Sequence, residues 1–405
     1  MTSQEPVTDW AKDFDYFDPE FVNDPYPVWE ELRGRCPVAH TERRGGAWMP
    51  SRYEELNQVT HDTEHYSSVM IGVTGPKPGE SPLLVAPPIT SDPPDHALAR
   101  RLLLPAFSPK PVDKLEPTTR GIARELIADI NARGDGLADA AREYSQHLPV
   151  RVISLMLGVP RSDEAQFTDW VTRVLQIGPT DLEAGRVATK EVLAYFKDLI
   201  EQRTLMEEHP DDLLSYLMDV RLEDGEPLSE KHLLGTCFLI LVAGIDTTWS
   251  SIGSSLLHLA THPEDLERLV AEPDLVPTAI EEFLRAYAPV TMARMVTAET
   301  TLGGQQLCPG DRVLLPFPAG NRDPAVFDDP EQVLIDRQHN RHAAFGLGIH
   351  RCLGSNLARM ELRVAVEEWL AAFPTFSLVE GADVRWNGGQ VRGPRSIPVQ
   401  VATSA

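Results

Sequence analysis

The chain has 405 residues, of which 42% are hydrophobic, and its formal net charge at pH 7 is −24. That acidity excludes nucleic acid as an expected partner, because phosphate backbones need a basic surface. The four scattered cysteines do not suggest a disulfide framework, and no N-terminal run is apolar enough for a signal or a membrane span, so we expect a cytoplasmic protein without a membrane anchor.

The N-terminal part of the chain begins with a polar, acidic stretch. Residues 1–24 predict a loose acidic arm, and residues 25–405 predict a single catalytic domain, because no linker, repeat or low-complexity tract divides them. The next predicted elements are a helix, the two strands of a hairpin and a second helix: residues 28–33, 38–41, 47–50 and 53–60.

A long apolar loop over residues 67–90 precedes a clear helix start. Loops this apolar are seldom left facing water, and long ordered loops tend to be functional, although a mobile surface loop is the alternative. Asp92, with two prolines behind it, predicts a capped helix. That helix places His96 and Arg100 four residues apart on one face, which by itself usually indicates a solvated surface.

The middle of the chain is mostly helical. Residues 113–210 carry helical periodicity, interrupted at residues 178–180. Ser229 then predicts the N-cap of a helix that runs without a stop signal to His262. At 1.5 Å per residue this helix is roughly 50 Å long, which is enough to cross a whole domain.

The centre of this long helix reads Ala243-Gly244-Ile-Asp246-Thr247. The Thr247 hydroxyl can bond back to the carbonyl of Ala243, which bends the helix and opens a notch. Ala243 and Gly244 remove side-chain bulk where a flat ligand could approach, and Asp246 adjoins the notch as a proton source. The alternative is a helix that is bent by glycine and β-branched residues without any function.

A short helix over residues 279–288 and a β region follow. Glu282 and Arg285 are three residues apart on that helix and therefore neighbours, but surface pairs of this kind are common and contribute about 0–1 kcal/mol. Strands are predicted over residues 292–302 and 312–317. The elements together predict a mainly α protein with a smaller β region.

The segment from Phe345 to Gly354 places Cys352 in a glycine-rich loop just before another helical pattern. A thiol at a helix N-terminus favours the thiolate, and glycines let the backbone approach a flat ligand, so the loop is suited to an axial iron ligand. One alternative is a small buried cysteine. Another is zinc, but zinc sites normally repeat a paired-ligand spacing, which is absent among the nearby candidates His339, His342, His350 and Cys352.

The spacing F-x-x-G-x-H-x-C-x-G, from Phe345 to Gly354, resembles the haem-binding loop of the cytochrome P-450 family of haem-thiolate monooxygenases. The A-G-x-D-T sequence from Ala243 to Thr247 is similar to the oxygen-activating motif of that family. The resemblance covers the chain from about residue 25 and indicates a soluble, bacterial-type member. It implies the cytochrome P-450 fold, with haem b between the long central helix and the cysteine-loop helix.

The resemblance also implies roles for individual residues. Cys352 is the expected axial ligand of the haem iron, and Asp246 with Thr247 would bring protons to dioxygen. The expected cofactor-binding residues, which include the propionate partners, are His96, Arg100, Ala243, Gly244, Arg294, Phe345, Gly348, His350, Cys352 and Gly354. The expected structural trio is Glu282, Arg285 and Arg337.

The family likeness places the apolar loop and the break at residues 178–180, as a lid, over the substrate pocket. The candidate pocket residues are Met70, Ile71, Val73, Leu83, Val242, Thr291, Met292 and Met295. Their aliphatic and sulfur-rich character favours a small or mid-sized apolar substrate such as a terpenoid, aromatic or fatty compound, which would be hydroxylated or O-dealkylated.

The same likeness implies an external electron source. We expect a monomer that receives electrons from NAD(P)H through a ferredoxin and its reductase, with dioxygen as oxidant because the Asp246–Thr247 pair is intact. A basic patch of arginines could steer an acidic ferredoxin, unless those arginines are internal salt-bridge partners: Arg337, Arg341, Arg351, Arg359 and Arg363. The rival functions are a peroxide-driven oxidase and a haem carrier or gas sensor.

Overall fold

The computed structural model describes residues 5–75, 84–222 and 224–402. Its helices in chain order are α1 (Pro19–Asn23), α2 (Tyr26–Arg35), α3 (Tyr53–His61), α4 (Asp95–Phe107), α5 (Pro109–Ala132), α6 (His147–Leu157), α7 (Glu164–Val171), α8 (Leu182–Thr204), α9 (Leu213–Asp219), α10 (Glu230–Thr261), α11 (Pro263–Ala271), α12 (Val276–Ala286), α13 (Phe317–Gly320) and α14 (Ser355–Ala372). Two π-helical segments lie at Ala140–Ser145 and Thr172–Ile177.

The strands are few-residue elements beside much longer helices, so the prediction of a mainly α protein with a smaller β region is confirmed. They are β1 (Val38–Thr41), β2 (Ala47–Pro50), β3 (Tyr66–Ser67), β4 (Leu137–Asp139), β5 (Thr291–Val296), β6 (Thr300–Leu302), β7 (Gln305–Leu307), β8 (Arg312–Pro316), β9 (Phe376–Leu378), β10 (Arg385–Asn387), β11 (Gly393–Ser396) and β12 (Pro398–Val401). The largest sheet has the strand order β1-β2-β8-β5-β3, and the predicted hairpin pairs Val38 with Pro50.

The prediction of a loose N-terminal arm is wrong for the described residues 5–24. Phe14, Tyr16 and Phe21 are buried in a cluster with Trp29 of α2. The acidic residues of this stretch do not repel it from the fold, because they meet the basic turn of the hairpin: Arg43 lies 2.5 Å from Asp13, and Arg44 lies 2.6 Å from Asp15. Aromatic burial and ion pairing thus hold the segment in place.

The start of α4 differs in detail from its prediction. The helix begins at Asp95, and the Asp92 carboxylate does not cap it. Instead this carboxylate accepts hydrogen bonds from the Ser68 backbone N–H at 2.7 Å and from the Ser67 hydroxyl at 2.5 Å. Asp92 therefore fastens the apolar loop to the helix that carries His96 and Arg100.

Helix α10 is the long helix that the sequence predicted. It spans 32 residues, and the Ser229 side chain accepts a hydrogen bond from the His232 N–H at its start. It packs against α6, α14 and β11. By length and composition it could cross a membrane, but 67% of its apolar window is buried inside the fold, as is usual for the core helix of a globular protein.

Glu282, Arg285 and Arg337 meet in a buried network. The Glu282 carboxylate accepts hydrogen bonds from Arg285 at 2.7 and 2.8 Å and from Arg337 at 3.0 Å. Glu282 and Arg285 have fully buried side chains. Removing one partner of such a buried pair leaves an uncompensated charge, so the network should be costly to break.

We expect Glu282→Gln to lower the free energy of unfolding by about 3–5 kcal/mol, because two guanidiniums lose their carboxylate. Urea unfolding followed by circular dichroism would measure this. Glu31→Gln is the control, since Glu31 pairs with Arg35 at 2.7 Å at the surface, and it should leave stability unchanged. Equal stability of Glu282→Gln and the wild type would contradict a structural role for the trio.

Candidate active site

One large cavity of about 510 Å³ lies between the cysteine loop, the middle of α10 and the strands β5 and β8. Cys352 of the cysteine loop lines it, together with Ala243 and Thr247 of α10. The elements that surround this cavity come from the whole length of the chain. It is therefore the place where the sequence motifs meet.

The cysteine loop is shaped by backbone contacts. The Cys352 N–H donates to the Phe345 carbonyl at 2.6 Å. Gly346 and Gly348 have φ values of 70° and 65°, a region that side chains disfavour, and a Cβ on Gly348 would collide with the carbonyl of Thr60. Two of the three glycines are thus required by the turn itself.

The Cys352 thiol faces the cavity immediately before α14. Burial raises its pKa, while a hydrogen bond from the Gly354 N–H and the charge of Arg100 act in the opposite direction. Desolvation therefore opposes the preference for the thiolate that we expected from the helix terminus. A metal cation at the sulfur would supply the missing stabilisation of the thiolate.

Two arginines project into the same cavity. Arg100 of α4 and Arg294 of β5 both line it, and in the described part of the chain neither forms an ion pair with a carboxylate. Arg294 is 6% exposed, and its guanidinium donates to the carbonyl of its own neighbour, Ala293, at 2.8 Å. Burial lowers the pKa of Arg294 to about 10. Arg312, which sequence reasoning missed, lines the cavity as well.

The two histidines of this region behave differently from the arginines. His350 lines the cavity, and its Nε2 lies 2.9 Å from the Ser68 hydroxyl. Burial, with the charges of Arg294, His96 and Arg100, lowers the pKa of His350 to about 3, so this ring is neutral at pH 7. His96 packs on His350 with ring centroids 4.3 Å apart and lies outside the cavity lining.

This arrangement fits haem b. Buried cations without anionic partners are costly, and the two propionates of haem would neutralise Arg100 and Arg294. The Cys352 sulfur lines the same cavity and could bind the iron. No cluster of three or more metal-binding side chains occurs among the described residues, which disfavours the zinc alternative. His342, one of the zinc candidates, lies instead 3.1 Å from Glu281.

The hydrogen bond that we expected at the centre of α10 is present. The Thr247 hydroxyl donates to the Ala243 carbonyl at 2.7 Å, as its spacing predicted. Gly244 also borders the cavity, but a Cβ at this position would collide with the side chain of Ile153 on α6. Gly244 therefore packs closely on α6 as well as bordering the cavity, and the expectation that it makes room for a flat ligand stays a prediction.

Asp246 is fully buried and points away from the cavity lining. Its Oδ1 lies 2.8 Å from Arg395 Nη2 and accepts a hydrogen bond from the Gln176 amide at 3.0 Å. Burial raises the pKa of Asp246, and the Arg395 charge followed by the Gln176 hydrogen bond opposes that rise. Neither partner of Asp246 was foreseen from the sequence.

The predicted substrate-pocket residues divide into two groups. Those that line the cavity are Met70, Ile71, Val242 and Met292. Those that lie elsewhere are Val73, which is buried in the N-terminal aromatic cluster, and Thr291 and Met295 of β5. The two wrong predictions in β5 follow from strand geometry, since alternate residues face opposite sides and Met292 and Arg294 occupy the cavity side. Leu83 lies outside the described residues.

Several apolar cavity residues were missed because they come from separate elements. They are Val174, Leu175, Phe238, Leu284 and Val391. Gly178 and Pro179, at the predicted break in the helical region, also border the cavity, in agreement with the expected lid position. No local pattern marks the missed residues, because helical and strand periodicities report burial and not the cavity that a side chain faces.

Comparisons with known proteins agree with this site. The family model for cytochrome P450 matches residues 84–385. Mycinamicin IV hydroxylase/epoxidase of Micromonospora griseorubida is 36% identical over 378 residues, which covers 91% of this chain and 94% of the relative. Vitamin D(3) 25-hydroxylase of Pseudonocardia autotrophica is 34% identical over 400 residues, covering 97% and 98%.

The fold comparison leads to the same family. The crystal structure of CYP109E1 from Bacillus megaterium in complex with testosterone is similar to this chain with a TM-score of 0.86 at 30% identity, and the match covers 95% of this chain and 99% of that one. At this coverage the two chains share essentially the same fold over their whole length. The chain therefore belongs to the cytochrome P450 family and is a monooxygenase with the haem-binding, mainly helical fold of that family.

Proposed function

We propose that this protein uses haem b and dioxygen to hydroxylate or O-dealkylate an apolar organic molecule, with electrons supplied by a ferredoxin and its NAD(P)H-dependent reductase. The observation that carries the proposal is that Cys352 and Thr247 line one and the same largely apolar cavity. A cytoplasmic location is part of the same proposal, since these electron carriers are soluble proteins.

The residues have distinct tasks in this proposal. Haem with a cysteine ligand supplies the chemistry that cleaves the O–O bond of dioxygen. Arg100 and Arg294 would hold the propionates, and Cys352 would bind the iron. The Thr247 hydroxyl, which lines the cavity, would hold and pass a proton in this chemistry. The apolar cavity wall would exclude water from the reacting C–H bond.

The cavity lining supports an apolar substrate of some size. Away from the arginines the lining is dominated by aliphatic, aromatic and sulfur-containing side chains, among them Met70, Val174, Phe238, Leu284 and Met292. Two relatives are named as a mycinamicin IV hydroxylase/epoxidase and a vitamin D(3) 25-hydroxylase, and a similar structure holds testosterone. We therefore favour a polycyclic or macrocyclic molecule over the smaller compounds that the sequence suggested.

Electron delivery is proposed at the cysteine side of the protein. Three of the five arginines of the predicted basic patch are internal partners, because Arg337 pairs with Glu282, Arg359 with Glu281, and Arg363 with Glu116. The side chains of Arg341 and Arg351 are exposed. The surface that could steer an acidic ferredoxin is thus smaller than predicted, and salt-bridge formation explains most of the cluster.

We expect testosterone or a macrolactone to displace water from the iron and shift the Soret band of the ferric protein. Binding is favourable because it removes apolar surface of the ligand and of the cavity wall from water. A titration followed by absorbance would measure the shift. A short-chain dicarboxylate is the control and should leave the spectrum unchanged. A response to the dicarboxylate with none to the apolar ligands would contradict an apolar substrate.

We expect the ferrous carbon monoxide complex to absorb where thiolate-ligated haem absorbs, and Cys352→His to move the band to the position of imidazole-ligated haem, because the axial ligand sets the electronic state of the iron. Cys308→Ser is the control, since Cys308 is exposed and outside the cavity lining. A wild-type complex of the imidazole type would refute the haem-thiolate assignment.

We expect Thr247→Ala to lower product per reductant by at least about tenfold and to raise peroxide release, because a positioned proton donor is lost. Thr261→Ala is a matched control, since Thr261 makes the same bond, to the Leu257 carbonyl at 2.9 Å, at the far end of α10. Unchanged coupling in Thr247→Ala would favour the carrier or sensor alternative. Efficient wild-type turnover with peroxide alone would favour the peroxide-driven oxidase.

A further inference from the structure

Among the described residues that line the cavity, Gln390 carries the only side-chain amide. It lies in the loop between β10 and β11, and its Nε2 is 3.5 Å from the Sδ of Met292, which also lines the cavity. Its Oε1 adjoins Gly72, another lining residue, because a Cβ added to Gly72 would lie 3.9 Å from that oxygen. The amide is thus placed in the cavity wall, next to β5 and the apolar loop.

The hydrogen-bonding capacity of this amide is largely unused within the protein. A primary amide has two N–H donors and an acceptor oxygen, whereas a thioether sulfur is a weak acceptor. In the part of the chain that the structure describes, the contact with Met292 is the hydrogen bond that the Gln390 side chain makes. A carbonyl or hydroxyl oxygen accepts more strongly than sulfur, so such an oxygen on a ligand would displace Met292 as the partner.

Other polar groups of the cavity wall already have partners or an assigned task. Arg100 and Arg294 are the proposed partners of the haem propionates. Four hydroxyls of the wall donate to backbone carbonyls at 2.7 to 3.1 Å, and they belong to Thr74, Thr189, Thr247 and Ser251. Gln390 is therefore the side chain best suited to recognise a neutral polar atom of a substrate.

Backbone hydrogen bonds fix the Gln390 loop against β5. The Gln390 carbonyl accepts from the Thr291 N–H at 3.0 Å, and the Arg392 N–H donates to the Pro289 carbonyl at 2.7 Å. The backbone on both sides of the amide is thus held before any ligand binds. Such preorganisation lowers the entropic cost of a hydrogen bond to substrate.

The folded N-terminal segment supports the same loop. Gly389 has a φ value of 96°, and a Cβ there would lie 2.7 Å from a ring carbon of Phe17. The Arg392 guanidinium donates to the carbonyls of Val22 and Asn23 at 2.8 and 2.6 Å. The loop that presents the amide is therefore held by two separate parts of the fold.

We propose that Gln390 determines substrate specificity by donating an amide N–H to a carbonyl or hydroxyl oxygen of an otherwise apolar substrate. This bond would replace the weak contact with Met292 and fix the oxygen-bearing end of the molecule beside β5. The proposal rests on the proposed function, since it adds one polar feature to the substrate class that the cavity accepts.

The energetics of a buried amide give the direction of this selection. A ligand without an oxygen would remove the Gln390 amide from water and offer it no better partner than sulfur. A ligand of the same carbon skeleton with a correctly placed oxygen avoids that cost. Sites with a polar group of this kind discriminate against analogues that lack the matching atom.

The test compares two steroids in absorbance titrations of the ferric holoenzyme. Testosterone and 5α-androstane share a four-ring carbon skeleton, but androstane has no oxygen. Gln390→Met keeps a similar side-chain length and removes the amide. We expect this change to weaken testosterone binding by about fivefold or more, because one hydrogen bond is lost, and to leave androstane binding unchanged or tighter.

Thr189→Val is the matched control. Thr189 also lines the cavity, but its hydroxyl already donates to the Gly185 carbonyl at 2.8 Å. This variant should leave the ratio of the two steroid affinities as it is in the wild type. Should Gln390→Met fail to incorporate haem, Gln390→Leu with the same two ligands decides.

The possible failures can be told apart. The proposal is overturned when Gln390→Met binds testosterone as tightly as the wild type, or when binding of both steroids weakens by the same factor. A wild type that responds to androstane and not to testosterone also contradicts it. A wild type that responds to neither steroid, or whose carbon monoxide complex is of the imidazole type, overturns the proposed function instead.

Discussion

The position of Cys352 relative to α10 is the constraint on which the rest of the site depends, and a buried hydrogen-bond network enforces it. Arg285 donates to the Asn321 carbonyl at 3.0 Å, and the Asn321 amide donates back to the Arg285 carbonyl at 3.1 Å. Asn321 Oδ1 then accepts the Ala343 N–H at 2.6 Å. The Glu282 network is thereby continuous with the chain that enters the cysteine loop, so its role extends from stability to the placement of the sulfur.

The charges inside the cavity oppose the charge of the whole protein. The chain carries a net charge of −24, yet Arg100 and Arg294 face the cavity without carboxylate partners in the described residues. Such a site selects a dianionic group, and a neutral His350 adds hydrogen bonding without further charge. Burial raises the pKa of the Cys352 thiol, so a metal cation would be needed to stabilise its thiolate form.

The residues of the motif from Ala243 to Thr247 lie on different sides of α10 and have different contacts. Ala243, Gly244 and Thr247 all border the cavity, and Gly244 also packs closely on Ile153 of α6. Asp246 turns to the C-terminal strand and the lid. A single short sequence thus combines a notch, a packing contact and a buried acid.

Local sequence patterns were enough for the features that depend on short spacings. The hydroxyl bond from Thr247 to Ala243, the cap at Ser229 and the hairpin follow from residues that are neighbours along the chain. The resemblance of the cysteine segment to the haem-binding loop of the cytochrome P-450 family also allowed the cofactor to be predicted. The third member of the buried trio, Arg337, was also found because the family supplies it.

By itself the sequence determined the fold class, and its likeness to the family supplied the expected haem ligand, the candidate propionate partners and the oxygen-side motif, since each depends on local spacing or on a specific run of residue types. The tertiary structure decided which residues contact Asp246, which side of β5 faces the cavity, and that Gly244 packs on α6. Gln176 lies 70 residues from Asp246 along the chain, and Arg395 belongs to a different strand. Contacts over such separations leave no period in the sequence, because they arise only when distant elements pack together.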